Sequence, residues 1–193
     1  MKRTMSLIAA ICLTTACVQA AETSFKETVK PVQLSLVNPV QLHDEYTSVK
    51  GLRFNLFYGK NLSVRWVDIG MVNNTDVDMS GFGFGLVNRV GCAMRGASIG
   101  VWNTAGFEAT GIQIGALNGT DGDMTGLQAG FINYADMSSG MQFGIYNKAW
   151  AADGLQLGVV NMADYLEGVQ IGLLNIVKNK DSFPVMPLLN MSW

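Results

Sequence analysis

Asparagine recurs in this sequence at a nearly constant interval, and this recurrence restricts the fold more than any other feature. The intervals between successive copies are 15, 15, 15, 15, 14, 14 and 14 residues, and a glycine lies three positions before each copy. A fixed period of this length indicates a repeat architecture in which each unit stacks on its neighbours. The asparagines of this repeat signature are Asn73, Asn88, Asn103, Asn118, Asn133, Asn147, Asn161 and Asn175.

The unit reads Gly-x-Gln-x-Gly-x-x-Asn, with departures at Trp66, Gly83 and Ser98, and apolar residues alternate with the glycines and the glutamine. In the copy at 126–133, Leu127, Ala129 and Phe131 share one parity, while Gln128 has the other. This period of two predicts one β-strand per unit, with the apolar parity in the core. A helix is excluded because each interior glycine costs about 1 kcal/mol relative to alanine, and no apolar stripe of helical period compensates for that cost.

Two all-β architectures fit these tandem strand-turn repeats of 14–15 residues. In a β-solenoid each unit forms one coil, apolar side chains fill the core, and glycines and asparagines lie at corners that need positive φ. In a closed up-and-down β-barrel each unit is one strand with a tight turn. We favour the solenoid, because identical units superpose when they stack in parallel and the loops do not alternate between short and long. The barrel stays open as the alternative, because the alternating apolar end of the chain at Leu189, Met191 and Trp193 is typical of outer-membrane barrels.

The chain begins with a segment that is typical of an export signal. Lys2 and Arg3 precede an apolar stretch that ends in the small residues of Val18-Gln19-Ala20, which predicts a secretory signal peptide over residues 1–20. The sequence does not decide whether a lipid is attached to Cys17. We expect N-terminal strands or a cap over 21–63, an array of eight repeats over 64–175 and a C-terminal cap or last strand over 176–193. In the first copy Trp66 replaces the leading glycine and Asp68 replaces glutamine, as in a capping repeat.

Three parts of the sequence carry a resemblance to a known family. They are the repeat units, the segment Gly51-Leu-Arg-Phe-Asn-Leu-Phe-Tyr-Gly59 and the ending Phe183-Pro-x-x-Pro-Leu-Leu-Asn190. They resemble the bacterial surface repeat-containing proteins of the leptospiral type, over nearly the whole chain after the signal peptide. The resemblance implies an exported protein of the bacterial envelope, located at the cell surface, in the outer membrane or in the periplasm. It implies no catalytic residue, cofactor or ligand.

The composition argues against nucleic-acid binding and against enzymatic activity. Thirteen basic and fifteen acidic residues give a net charge of −2, so no basic surface is available for a phosphate backbone. A single histidine and three cysteines leave few general bases or metal ligands. We therefore expect no catalytic site, no cofactor and no bound metal.

Three short motifs look like chemistry but fit the repeat better. Gly96-Ala-Ser98-Ile-Gly100 matches the nucleophile elbow of serine hydrolases, and Gly81-Phe-Gly-Phe-Gly85 resembles a phosphate loop. Both lie in repeat register and precede strand residues, whereas each motif normally leads into a helix. The paired aspartates at 76 and 78 and at 121 and 123 are interpreted as solvated turns, because calcium requires six to eight oxygen ligands.

The glutamines at 113, 128, 142, 156 and 170 recur once in each of the last five units. Repeated amides of this kind could bind a glycan, or they could bond to one another along parallel strands. We favour the second interpretation, a self-satisfying amide ladder.

The residue before each asparagine has the parity opposite to the predicted core. If these residues face outward they form a continuous apolar stripe, which indicates a partner or membrane surface. If they turn inward at a corner they belong to the core, and in a barrel they would line the lumen. The candidate stripe consists of Trp102, Leu117, Ile132, Tyr146, Val160 and Leu174.

These observations predict a non-enzymatic, secreted or cell-envelope repeat protein with a structural or surface-binding role. The expected partner is an envelope or surface component, or the lipid of the outer membrane, and not a nucleic acid. The alternative function is a small outer-membrane barrel that acts as a pore or membrane-spanning scaffold.

Overall fold

A computed structural model describes residues 28–193 of the chain. The predicted signal peptide at 1–20 and the open question of lipid at Cys17 lie outside the described residues. Within the described part the regular structure is entirely β-strand. The strands are β1 (Val29–Val37), β2 (Val40–Gln41), β3 (Ser48–Asn61), β4 (Val64–Thr75), β5 (Met79–Phe84), β6 (Val87–Val90), β7 (Ala93–Ile99), β8 (Trp102–Ala105), β9 (Glu108–Ile114), β10 (Leu117–Val177) and β11 (Val185–Ser192).

Successive units stack in parallel and in register, so each residue lies on its counterpart in the neighbouring unit. Gly126 pairs with Gly111, and Gln128 pairs with Gln113. Strand β10 is 61 residues long because it runs around successive coils without interruption. Parallel stacking of this kind makes the fold a β-solenoid, as we predicted. The barrel alternative is wrong, because neighbouring strands of an up-and-down barrel run antiparallel.

Each coil bends at the first glycine of its repeat unit. Gly126 has a φ of +125°, and a Cβ atom there would lie 2.1 Å from the carbonyl oxygen of Gly111 in the preceding coil. Glycine accommodates both this φ and this approach without strain, whereas its counterpart in the first coil, Trp66, adopts a φ of +106° with a side chain. Two further bends fall where consecutive side chains are turned away from the interior, at Phe131–Ile132 and at Asp136–Met137. The asparagines lie within strands, so their expected position at corners with positive φ is wrong.

Polar and small side chains line the interior of the solenoid. Gln128 and Asn133 are fully buried, whereas Leu127 and Ala129 are partly exposed and Phe131 is 64% exposed. The prediction that the leucine, alanine and phenylalanine of this unit fill the core is therefore wrong. The physical reason is the bend after the second glycine, which turns two consecutive residues outward and shifts the parity of the inward residues.

The buried asparagines form a continuous hydrogen-bonded ladder along the solenoid. Asn118 Nδ2 donates to Asn133 Oδ1 at 2.9 Å and to the carbonyl oxygen of Ala129 in the next coil at 3.0 Å. The side-chain bond recurs at 2.8 or 2.9 Å in every step from Asn55 to Asn175. Because a buried amide without a partner costs about 1–3 kcal/mol, the ladder is what makes a polar interior stable.

The glutamines form a second ladder whose donors point the opposite way. Gln128 Nε2 donates to Gln113 Oε1 in the preceding coil at 2.8 Å, and the same bond joins the glutamines through to Gln170 at 2.6–2.8 Å. The predicted amide ladder is confirmed. Two columns of smaller or flexible side chains fill the remaining interior. They are Ala105, Thr120, Ala135, Ala149, Ala163 and Val177, and Met94, Ala109, Met124, Ser138, Ala152 and Leu166.

An ion pair replaces the glutamine column near the N-terminal end of the stack. Arg53 is fully buried, and its Nε donates to Asp68 Oδ1 at 2.8 Å. Its Nη1 also donates to the carbonyl oxygen of Asn74 at 2.8 Å. These bonds satisfy both charges, which a buried ion pair requires. The sequence marked Asp68 as a departure from the repeat but did not reveal Arg53 as its partner.

Strands outside the predicted array cover both ends of the stack. Strand β3 continues the register of the array, because Val49 pairs with Val64, and β1 in turn pairs with β3 in parallel. At the other end β11 runs antiparallel to the last coil, with Leu189 opposite Ile171. These strands occupy edges that would otherwise be open to strand addition.

Replacing one ladder asparagine should destabilise the whole stack. Asn133→Ala leaves Asn147 Oδ1 without its donor and removes an acceptor from Asn118 Nδ2, so we expect a loss of about 2–4 kcal/mol in the free energy of unfolding. Urea unfolding followed by circular dichroism measures this loss. The control is Asn179→Ala, an exposed asparagine, which should change stability by less than about 0.5 kcal/mol. Equal effects of the two substitutions would contradict the role of the ladder.

The second glycine of each unit should be equally intolerant of change. A Cβ at Gly130 would lie 2.0 Å from the carbonyl oxygen of Gly115 and 2.7 Å from Asn118 Nδ2. We expect Gly130→Ala to destabilise the fold by more than about 3 kcal/mol. Gly119→Ala is the control, because its Cβ would meet only Thr104 Cγ2 at 3.7 Å. Thermal unfolding of the two variants should differ clearly, and similar midpoints would refute the steric explanation.

Candidate functional site: the apolar outer face

Between the bending glycine and the asparagine, every outward side chain of the array is apolar. One copy shows Ile112, Ile114, Ala116 and Leu117 at the four outward positions. None of the eight copies between residues 66 and 175 places a charged or amide side chain at any of these positions. We call this surface the apolar face. Its strongly exposed members include Phe84, Trp102, Phe131, Phe143, Ile145 and Leu173.

The apolar face has two parts on either side of a bend. The flat side lies between the two glycines and carries two outward positions per coil, such as Ile112 and Ile114. Beyond the bend lies the predicted stripe, formed by the residue before each asparagine. The ladders explain this arrangement, because amides that fill a narrow interior leave the larger apolar side chains on the outside.

The flat side continues without interruption over the strands at both ends. One of its columns runs from Leu34 through Phe54, Ile69 and Phe84 in register, and it ends at Leu189 beside Ile171. About ten strand spacings of about 4.8 Å give a length of about 48 Å. Including the stripe, the face covers about 800 Å², whereas the largest apolar patch of a typical monomer is about 300–600 Å².

The predicted stripe faces outward, so its members do not belong to the interior. Trp102 is 52% exposed, Ile132 is 45% exposed, and Leu117 and Leu174 are 38% exposed. Tyr146 and Val160 are partly exposed. Sequence reasoning missed the flat side, whose residues it assigned to the core. The sequence does contain a signal for the flat side. Apart from Asp68, the eight copies have no charged residue between the leading position and the asparagine, at inward or outward positions.

The exposed charges of the array lie elsewhere on each coil. Asp121, Asp123, Asp136 and Asp164 lie at or near the corner that follows the asparagine, which we call the polar edge. Other charged residues come directly before the bending glycine, as Glu167 does. The outer surface of the solenoid is therefore amphipathic in cross-section.

Partial burial shifts two ionisable groups at the polar edge. Burial raises the pKa of Asp121, and the neighbouring Asp136 carboxylate raises it further. The pKa of Tyr134 is raised in the same way by burial and by its hydrogen bond to Asp136. Lys148 Nζ lies 5.5 Å from the centre of the Tyr134 ring. The edge thus holds the carboxyl groups of Asp121 and Asp136 close together, with Lys148 beside the Tyr134 ring.

The motifs that resembled a nucleophile elbow and a phosphate loop are ordinary parts of the repeat in the structure. Ser98 is 3% exposed, and its Oγ donates to Asn103 Oδ1 at 2.8 Å inside the solenoid. Gly81 and Gly83 pair within the sheet as members of β5. Over residues 28–193 no three or more histidine, cysteine, aspartate or glutamate side chains are grouped as metal ligands would be.

Two surface depressions in the described part of the chain are too small for an ordinary ligand. One, lined by Val29, Val49 and Arg65 among others, holds about 20 Å³, and another beside Asp68 and Asn88 holds about 10 Å³. Pockets for small ligands are typically about 300–1,000 Å³. Residues 28–193 also contain no helix that could span a membrane.

Comparison with known proteins identifies no relative. No protein-family model matches the chain, and neither a curated protein nor a solved structure matches it. The resemblance to surface repeat-containing proteins therefore stays a prediction.

Removing the charge of Asp121 should stabilise the protein at neutral pH. The raised pKa means that the folded state disfavours the ionised carboxylate, whereas the unfolded chain has the ordinary value of 3.8. We expect Asp121→Asn to raise the melting temperature at pH 7 by about 1–3 °C. The gain should shrink as pH falls through the folded pKa, and it should vanish below the unfolded value, where the carboxyl is protonated in both states. Asp123→Asn is the control, and a gain that persists in acid would contradict the assignment.

Proposed function

We propose that this chain is a non-enzymatic, exported repeat protein of the cell envelope that works by binding through its apolar face. The observation that carries the proposal is the uniformly apolar character of that face over eight copies, whose flat side continues over the end strands to a length of about 48 Å. A partner is either a protein or a lipid surface of the envelope. Export to that compartment is supported by the signal-like segment at residues 1–20.

The apolar face is not required by the fold. The interior is closed by the amide ladders and by small side chains, so residues such as Phe131 and Phe143 gain little burial when the chain folds. Exposed apolar area costs about 25 cal/mol per Å² relative to buried area. A face of about 800 Å² therefore has a driving force for association on the order of 20 kcal/mol before the costs of binding are subtracted.

A structural or binding role fits the described residues better than a chemical one. The ladder amides and Ser98 point into the interior, where they bond to one another, and the two depressions described above are the size of single waters. The alternative function, a pore or membrane-spanning scaffold, required a closed barrel, and the chain folds as a solenoid instead.

The stripe should hold the protein on the envelope. We expect Trp102→Asp combined with Ile132→Asp to reduce the envelope-bound fraction about ten-fold or more, because charges on an apolar contact are costly to desolvate. The measurement is fractionation of Gram-negative cells that express the full chain, with sedimented envelopes compared with the soluble fraction.

The control pair matches the test pair in exposure and spacing. Trp102 and Ile132 are 52% and 45% exposed, and Phe107 and Met137, which lie off the apolar face, are 53% and 44% exposed. We expect Phe107→Asp with Met137→Asp to leave the distribution unchanged. Loss from the envelope in both double variants, or in neither, would contradict the proposal.

A further inference from the structure

We propose that the flat side of the apolar face packs against the flat side of a second copy, with the two solenoid axes antiparallel. This inference rests on the proposed function, because it names the first partner of the same face. The stripe lies beyond the bend and stays at the margin of such a dimer. It therefore remains available for the envelope contact.

The flat side has the size that a stable dimer needs. It spans four residues between the two glycines, or about 13 Å, and it is about 48 Å long. Each copy would contribute about 600 Å², so the total of about 1,200 Å² lies at the lower end of specific interfaces. The columns are wholly apolar from Leu34 in β1 to Leu189 in β11, so no unpaired charge would be buried in the contact.

Charges are ordered along one margin of the flat side. The residue directly before each bending glycine, or its counterpart, forms a column in register that we call the rim. From the N-terminal to the C-terminal end the rim reads Lys50, Arg65, Ser80, Arg95, Thr110, Thr125, Ser139, Asp153 and Glu167. The rim is basic at one end, neutral in the middle and acidic at the other end.

The charges at the two ends of the rim do not pair within one chain. Arg65 and Asp153 lie about six coils apart, which corresponds to about 29 Å. The four charged residues at the ends of the rim are exposed, and none forms an ion pair with another described residue. They are Lys50, Arg65, Asp153 and Glu167. Their order therefore has no explanation in the folding of a single chain.

A two-fold axis across the middle of the flat side pairs these charges between copies. Such an axis keeps rim against rim and reverses the axial order, as an isologous contact requires. With full overlap, Thr110 lies at the axis, Lys50 faces Glu167 of the other copy, and Arg65 faces Asp153. If the axes were parallel, the rim would instead face the opposite margin of the flat side and this match would be lost.

Reversing the sign of the charges at one end of the rim tests the antiparallel dimer. The acidic variant combines Lys50→Glu with Arg65→Glu, and the basic variant combines Asp153→Lys with Glu167→Lys. Each places like charges opposite each other in its own dimer, so we expect its dissociation constant to rise at least about 100-fold. An equimolar mixture of the two variants should form a heterodimer, because every opposing pair is then attractive. Sedimentation velocity of the full chain without detergent measures the masses.

The control variant changes two charges that lie off the rim. Arg89→Glu with Asp181→Lys should form the same dimer as the wild-type chain. A wild-type dimer that tolerates both rim reversals, or a mixture that stays monomeric, would overturn the antiparallel arrangement. Wild-type chain that is insoluble without detergent would overturn it too.

Flotation with phosphatidylcholine vesicles separates this inference from the function on which it rests. A wild-type monomer that floats with the vesicles, together with both rim variants, would make lipid the occupant of the flat side. That outcome would overturn the dimer and leave the binding role of the apolar face intact. A monomer that neither dimerises nor floats would overturn the dimer, and the envelope fractionation of the stripe variant then decides the binding role separately.

Discussion

The hydrogen bond from one ladder amide to the same amide in the next coil is the interaction on which this fold depends. It requires that equivalent residues lie directly above one another, which fixes parallel stacking and a unit of 14 or 15 residues. It also contributes to the need for a glycine three positions earlier, because a Cβ at Gly130 would clash with the carbonyl oxygen of Gly115 and with Asn118 Nδ2. The asparagine and the second glycine of the repeat motif are therefore explained by one buried hydrogen bond and by the close packing around it.

A polar interior reverses the usual distribution of side chains. In most solenoids the stacked core is apolar and the surface is polar. Here the amides bond to their neighbours inside, and residues such as Phe131 and Leu173 are more than 60% exposed. Stability comes from satisfied hydrogen bonds and close backbone packing, so the apolar side chains are free to serve contacts outside the chain.

The sequence was sufficient for the period, the strands, the parallel stacking and the glutamine ladder, but it left open whether the stripe that includes Trp102 and Ile132 faces outward. It was insufficient for the side of the strand that faces inward, because the bends at Gly126 and Phe131–Ile132 interrupt the alternation on which that prediction depended. The partnership of Arg53 and Asp68 was also missed. Two different residue types 15 positions apart do not look like a repeat until the register shows them in one column.

The opposite directions of the two ladders have an electrostatic consequence. Asparagine amides donate toward the C-terminal end and glutamine amides donate toward the N-terminal end. Each column is a line of aligned dipoles, as in an α-helix, where such alignment leaves partial charges at the termini. From Gln113 to Gln170, where both ladders are present, the two antiparallel lines oppose each other, so each coil there adds little net dipole from its ladder amides. Coils can then be added or lost over evolution without a growing dipole to oppose the change in length.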